Sequence, residues 1–440
     1  MRIYSNLKIV ILFTVIALVG CSKKEDPLGA PTQDLAITLS SDAGTNETEV
    51  LVVDQLVNFT VTGNDGENYT SAAKLYVNDI EIPGSAYTFS TEGTYSVKAH
   101  FESVVSNVLS FEVLAETQRA LTIDVTRAMT NQTITFGLLD SNGNNTAADA
   151  IFFVNNSPIA GFTYASAIEA EYEVYAQYVI NGETFTTPAK NFSIYVPKRN
   201  VVIEDYTGTW CGYCLKALVA IDTVKVLANH HVSVVAIHES SFGPPDPMDF
   251  AQIDDLQAEF DVPDSFPQTQ LNRTVKWNAT PPSSLIYDME AVTSIAGLET
   301  DLSIAISSQL SANTLSVEAK VIYRNGSEPG DKLVVYLLES GIIADQVNYF
   351  NSNPASPYYG MGNPIVGFVH NDALRNSLSG LFGDAIPQTE AFQEYKKTYT
   401  FAIPSEYNAN NLSFVVMVVK ADNSAKNTQH AALGETKLYN

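Results

Sequence analysis

Two thiols three residues apart are the part of this 440-residue chain best suited to chemistry. Cys211 and Cys214 lie in the stretch Thr209-Trp210-Cys211-Gly212-Tyr213-Cys214. An apolar run, Val201-Val202-Ile203, precedes them, and Leu215, Leu218, Ile221 and Val224 follow at helical spacing. The pattern predicts strand, tight turn and helix, with both sulfurs at the helix start. Unpaired N–H groups and partial positive charge at that end stabilise a thiolate. Two cysteines so placed can close a small disulfide and reopen it. A Cys-x-x-Cys can also bind zinc, but no second cysteine pair exists, and His230-His231 follows too closely for ordinary zinc-finger spacing. His238-Glu239, ending an apolar run, is read as a strand terminus rather than an acid–base pair.

The elements around the pair follow an α/β grammar over residues 198–300. Val232-Ser233-Val234-Val235-Ala236-Ile237 reads as a strand buried on both faces. Asp246-Pro247-Met248-Asp249 has the form of a helix start, with Asp as cap and Pro in the first turn. Phe250, Ile253, Leu256 and Phe260 continue it at spacings of three and four. Phe242-Gly243-Pro244-Pro245 before it reads as a rigid loop that borders the thiols. Strands alternating with helices predict an α/β domain. From 301 to 440 the pattern turns to strands, including Thr314–Tyr323 and the core run Phe414-Val415-Val416-Met417-Val418-Val419. That region is expected to be β-sandwich-like, with one long loop from Gly341 to Gln393.

Upstream, residues 34–116 alternate apolar and polar positions between Gly, Asn and Asp breaks, as in Val57-Asn58-Phe59-Thr60-Val61. A β-sandwich is expected there. Residues 118–197 repeat it. An offset of 77 without a gap gives ten identities in the 27 positions from Ala73 to Ala99. Asn78 falls on Asn155, Gly84 on Gly161, Tyr87 on Tyr164 and Tyr95 on Tyr172. The shared ending resembles the penultimate strands of bacterial immunoglobulin-like domains. Two such modules in tandem suit a stalk or a binding arm.

The N-terminus addresses the chain to the envelope. Arg2 and Lys8 precede an apolar run from Ile9 to Gly20, shaped like a signal h-region. Leu18-Val19-Gly20-Cys21 resembles a bacterial lipobox, which implies a signal peptide over 1–20, lipidation of Cys21 and a polar tether over 21–33. With Cys21 taken up by lipid, only Cys211 and Cys214 remain of the three cysteines. An exported chain with one isolated pair has no disulfide framework to build, so the pair is a local staple or a redox centre. The net charge of −25 argues against nucleic acid as a partner. Nothing in the sequence calls for a metal or other cofactor.

Trp210-Cys211-Gly212-Tyr213-Cys214 followed by Lys216 resembles the active-site turn of thioredoxin-fold oxidoreductases. Asp205, six residues before Cys211, falls where that family keeps a buried carboxylate, and Phe266-Pro267 falls where it keeps a cis-proline. The resemblance implies a thioredoxin-like domain over 198–300. Cys211 would be the attacking thiolate and Cys214 the resolving one, with Asp205 exchanging a proton with Cys214. Trp210 would shield the sulfurs, and Phe266 and Pro267 would meet an extended substrate chain. Gly-Tyr replaces the usual Gly-Pro between the cysteines, which leaves the redox direction open.

Taken together, the lipobox, the repeated modules, the Cys-Gly-Tyr-Cys turn and Val366-Gly367-Phe368-Val369-His370-Asn371-Asp372 resemble the Bacteroidetes outer-membrane lipoproteins related to the twenty-eight-kilodalton Omp. Members commonly carry Pro after the second cysteine, where this chain has Leu215. The expectation is a lipid-anchored outer-membrane protein, on the periplasmic or surface face, that exchanges disulfides with envelope-protein thiols. The alternative is a non-enzymatic surface binding or adhesion protein in which the pair is a structural disulfide.

Overall fold

The computed structural model describes residues 35–440 apart from 45–47, 115–117, 141, 241, 281–284 and 312. The signal, tether and Cys21 expectations fall on residues outside this set.

Alternating strands build the first half. Ile37–Ser41, Gln55–Gly63 and Ala86–Phe89 form one sheet. Thr48–Val52, Leu109–Leu114, Gly93–Phe101, Lys74–Val77 and Ile80–Ile82 form the other, and Val104–Val105 adds to Gly93–Phe101. Every second residue of Gln55–Gly63 from Val57 onward is buried, and the two sheets close on Leu39, Phe59, Phe89, Val97 and Phe111. The next module repeats the order strand for strand. Ala120–Ile123, Ile134–Leu139 and Thr163–Tyr164 form its small sheet. Arg127–Met129, Lys190–Tyr195, Ala170–Ile180, Ala150–Val154 and Ser157–Pro158 form its large one, extended by Glu183–Thr186.

The sequence identities mark the devices that the two modules share. Asn78 and Asn155 sit in the left-handed region at φ 46° and 47°, and each side-chain oxygen accepts the N–H of the residue 18 positions on, Ser96 or Glu173. The Tyr95 and Tyr172 hydroxyls each donate to the carbonyl four residues upstream, Thr91 or Ile168. The repeat is a repeat of turn chemistry as well as of pattern.

The second half does not follow the expected division of labour. Val275–Lys276, Gln268–Leu271, Val201–Thr207, Val232–His238, Ala373–Ser377, Lys332–Glu339, Leu412–Val419 and Ala425–Ala432 lie in that order in one nine-stranded sheet, with Asp384–Ala385 paired to Lys332–Glu339. Val201–Thr207 and Val232–His238 run parallel, and Gln268–Leu271 is antiparallel to the former. The join to the C-terminal strands is narrow, with Ala236 paired to Ala373 and the Ala236 N–H donating to the Asp372 carbonyl at 2.8 Å. One face of the C-terminal strands packs on a three-stranded sheet of Leu302–Ser311, Thr314–Tyr323 and Glu394–Ala402. The other shares a core with the helix Ile253–Phe260, in which Val202, Tyr206 and Leu256 meet Val334, Tyr336 and Met417.

The fold class is therefore corrected. The chain is nearly all β, and the α/β thioredoxin-like domain expected over 198–300 is not present as such. Three α-helices occur among the described residues, Leu215–Leu227, Ile253–Phe260 and Glu290–Thr293, of 13, 8 and 4 residues. The physical reason is that the outer edge of Val232–His238 is taken by a strand from beyond residue 370, and the core beneath is common to both regions. The expected loop over 341–393 is also corrected, because it holds strands Ile342–Gln346, Ile365–His370, Ala373–Ser377 and Asp384–Ala385. The first two of these make a separate two-stranded sheet.

Candidate functional site: a covered disulfide beside a buried acid

Cys211 and Cys214 form a disulfide. The turn is tight because Cys211 N–H donates to the Gly208 carbonyl and Cys214 N–H to the Cys211 carbonyl, each at 3.0 Å. Helix Leu215–Leu227 starts immediately after, and the Cys214 carbonyl accepts from Ala217 N–H at 2.9 Å. Both residues are buried, Cys211 at 4% exposure and Cys214 at 1%.

The burial comes from far along the chain. Gln346 Nε2 donates to the Cys211 carbonyl at 3.1 Å, Val347 N–H to the Thr209 carbonyl at 2.8 Å, and Tyr349 N–H to the Gly212 carbonyl at 3.2 Å. The Tyr349 ring lies over Gly212, where a Cβ would fall 2.5–2.7 Å from three ring carbons. Glycine between the cysteines is thus a packing requirement. Tyr213 sets its ring edge against Tyr349 and Phe350, with centroids 4.9 and 6.0 Å apart. Asn348, 1% exposed, anchors this cover. Its Nδ2 donates to the Tyr358 and Gly362 carbonyls, its N–H to Asn363 Oδ1, and its Oδ1 accepts from Phe350 N–H. Leu215, Phe350 and Ile365, with Leu218, Tyr358 and Phe368 against them, seat the cover on the helix.

Asp205 is wholly buried, and neither carboxylate oxygen has a hydrogen-bond partner. Burial alone pushes its pKa up to about 7. It lines a cavity of about 180 Å³ together with Leu218, Ile221, His238, Gln346 and His370. On the helix side the cavity is lined by Leu218, Ile221, Asp222 and Lys225, so it lies under the middle and later turns; Leu218, its nearest lining residue to the cysteines, reaches back through its N–H to the Cys214 carbonyl at 3.4 Å. Gln346 belongs to both parts of the site, donating to the cysteine turn and lining the acid's cavity.

His238 is buried in the same wall, with Nδ1 2.9 Å from Asp246 Oδ2. Asp246 was expected as a helix cap; the helix starts seven residues later, at Ile253. Its Oδ2 instead accepts the Thr209 N–H at 2.7 Å and its Oδ1 the Met248 N–H at 2.9 Å. Burial works to raise the Asp246 carboxyl, but the hydrogen bond and charge of His238 and the two N–H donors hold it below the usual range. His370 faces His238 with ring centroids 5.5 Å apart, and burial first, then His238, lower its pKa to about 4. The helix is tied to this end by Lys225 Nζ, 2.9 Å from Asp372 Oδ2.

On the flank of the turn, Trp210 stacks on Phe266 with centroids 5.7 Å apart and meets Phe242 at 5.3 Å. Its Nε1 donates to the Glu239 carbonyl at 2.6 Å. The Phe266–Pro267 bond is cis, and Pro267 is buried. The expected residues thus gather at one end of the sheet, except Cys21, which lies outside the described residues. What the sequence did not mark was Gln346, Asn348 and Tyr349, since nothing in their types singles out a cover. His370 stands out in the sequence only as part of the stretch Val366 to Asp372. Among the described residues no group of three or more His, Cys, Asp or Glu converges to hold a metal ion.

Several solved structures are similar to this chain at low identity. HBP35 of Porphyromonas gingivalis is 16% identical, with 55% of this chain and 77% of that one covered at a TM-score of 0.39. Protein AGR_C_4864 from Agrobacterium tumefaciens is 12% identical, with 53% and 94% covered at 0.33. Fibronectin(III)-like modules of Clostridium thermocellum CbhA are 18% identical, with 36% and 93% covered at 0.17. No curated protein gives a significant match. Among the described residues no helix is long and apolar enough to cross a membrane. The family described as outer membrane protein Omp28 matches residues 253–437, a segment that holds the cover but not the two cysteines, and this match supports an outer-membrane location.

Proposed function

We propose that this is an outer-membrane protein, lipid-anchored through Cys21, whose Cys211–Cys214 pair exchanges disulfides with the thiols of envelope proteins. The observation that carries this reading is Asp205. An unpartnered carboxyl at zero exposure is costly and is not needed to hold the strand. Placed in a cavity beneath the helix that follows the cysteine turn, and joined to that turn through Gln346, it serves as the proton exchanger of the inner sulfur in this reading. A substrate thiolate attacks Cys211 and Cys214 leaves, taking a proton from Asp205, and a second substrate thiolate then frees Cys211; in the reverse direction Cys211 attacks a substrate disulfide and Cys214 resolves it, returning the proton to Asp205. Trp210, Phe266 and Pro267 form the flank along which a partner chain lies. The tandem sandwiches hold this unit away from the membrane.

A second reading rests on the cover. Two cysteines at 4% and 1% exposure, beneath a segment anchored by Asn348, suit a structural staple in a surface binding protein. Equilibration in a dithiothreitol and glutathione series separates the two. An exchange centre reduces above about −300 mV, and a staple resists below it. Reduction that needs strongly reducing buffer, together with unchanged envelope thiol status in a Cys211→Ser strain, defeats the exchange reading.

A further inference from the structure

We propose that the Gln346–Phe350 segment is a selectivity cover, which decides which thiols reach the disulfide. The inference rests on the exchange reading above and adds to it the residues that set partner choice.

Three features carry it. First, the cover bonds to the main chain of the turn on both sides of Cys211, at Thr209 and Gly212, and to the Cys211 carbonyl itself. Those carbonyls are already taken, so an approaching polypeptide cannot pair with the turn on this side and is left the Trp210–Phe266 flank. Second, the Tyr349 ring fills the space over Gly212, and its edge-on contact with Tyr213 closes the turn between the two sulfurs. Third, the cover is preorganised. Asn348 is 1% exposed and makes four hydrogen bonds within the 348–363 loop, so displacing the cover breaks a built network rather than ordering a loose strand.

The consequence is chemical. An attacking thiolate RS⁻ must reach one sulfur in line with the S–S bond. In the exchange reading the attack falls on Cys211, with Cys214 as the leaving sulfur. The RS–Sγ bond to Cys211 forms, the Cys211–Cys214 bond breaks, and Cys214 leaves as a thiolate that takes the proton held by Asp205. A second thiolate then attacks the mixed disulfide, releasing RSSR and the Cys211 thiolate, so two thiols are oxidised as one disulfide is reduced. A small thiol passes the cover, a bulky free thiol such as a tripeptide is slowed by Tyr349, and a protein thiol gains access only by docking along the Trp210–Phe266 flank.

The test measures reduction rates of the full-length protein by 2-mercaptoethanol and by glutathione, corrected for thiolate fraction. The combined fluorescence of Trp210 and Trp277 reports the reaction, and mass spectrometry locates the mixed disulfide. Tyr349→Ala and Asn348→Ala are expected to raise the glutathione rate at least tenfold and the mercaptoethanol rate less than threefold, with some mixed disulfide shifting to Cys214. Tyr349→Phe, which keeps the ring, is expected to behave as wild type. Tyr349 is 56% exposed, so its truncation leaves the core intact, and an unchanged tryptophan spectrum confirms this. If the variants react at wild-type rates, or if both thiols accelerate equally, the cover is not selective and the exchange reading stands. If no form of the protein is reduced by either thiol or by dithiothreitol, the exchange reading and the cover fall together.

Discussion

Replacing Asp205 by Asn should make the protein more stable, and only above a defined pH. The wild-type carboxyl is held neutral by burial, with its pKa raised from 3.8 to about 7. In the unfolded chain it ionises near the ordinary value. Between about pH 4 and 7 the unfolded state therefore releases a proton that the folded state keeps, and stability falls as pH rises. The shift of about three units corresponds to roughly 4 kcal/mol, lost at about 1.4 kcal/mol per pH unit and complete above pH 7. Asn has the shape of the neutral acid and no charge to bury. Asp205→Asn should thus match wild type near pH 4 and exceed it by up to roughly 4 kcal/mol at pH 8.

The comparison must be a difference between the two proteins, because His370 titrates in the same range with the opposite sign. Its folded pKa is lowered to about 4, so its contribution is lost as pH falls, and it cancels when wild type is subtracted from the variant. Guanidinium unfolding of the oxidised protein at pH 4 to 8 gives the measurement. Trp210 and Trp277 are the chain's two tryptophans, so their fluorescence follows this unit and not the sandwiches. A stability difference that stays flat from pH 4 to 8 would mean that Asp205 is ionised in the folded protein, and the proton-exchange role would go with it.

Other perturbations follow from the same geometry. Gly212→Ala places a methyl against the Tyr349 ring and should cost about 1–3 kcal/mol by the tryptophan assay; a neutral result would show that the cover yields freely. Glu204→Gln or Arg273→Met alone should cost about 3–5 kcal/mol, because each leaves a buried charge without its partner at 2.8 Å, and the double variant should cost less than the sum. Asn78→Ala and Asn155→Ala should each cost about 1–2 kcal/mol through lost turn geometry and lost side-chain hydrogen bonds, two at Asn78 and one at Asn155, seen by calorimetry with the tryptophan transition unmoved.

What could be read in the sequence was local. The strand, turn and helix around Cys211 follow from a buried apolar run and a 3.6-residue period, and both appear where expected. The 77-residue repeat was legible because the same turn asparagines and corner tyrosines recur. What could not be read was long-range. The cover reaches the cysteine turn across 135 residues of sequence, through one glutamine amide and two main-chain N–H groups that any residue carries. The nine-stranded sheet hides for a similar reason, since Val232–His238 meets its C-terminal neighbour through a single paired position. Asp246 was misassigned because the Asp-Pro signal of a helix start also suits a turn, and here its carboxylate is spent on Thr209 and Met248.

Glu204 and Asp205 make the strongest case that the buried acid is kept for chemistry. They are neighbours on one strand, and alternation sends their side chains to opposite faces. Both are fully buried. Glu204 meets Arg273, whose guanidinium also donates to the Tyr336 hydroxyl at 2.6 Å, so its charge is answered within the core shared with the C-terminal strands. Asp205 accepts no hydrogen bond from another residue, although Lys225 lines the same cavity. Packing cannot account for it, since Asn or Leu would fill the space without the pH-dependent cost. The fold can supply a partner to a buried carboxylate, as Glu204 shows one residue away. That Asp205 goes without one, in a cavity under the helix that follows Cys214, supports the proton-exchange role proposed for it.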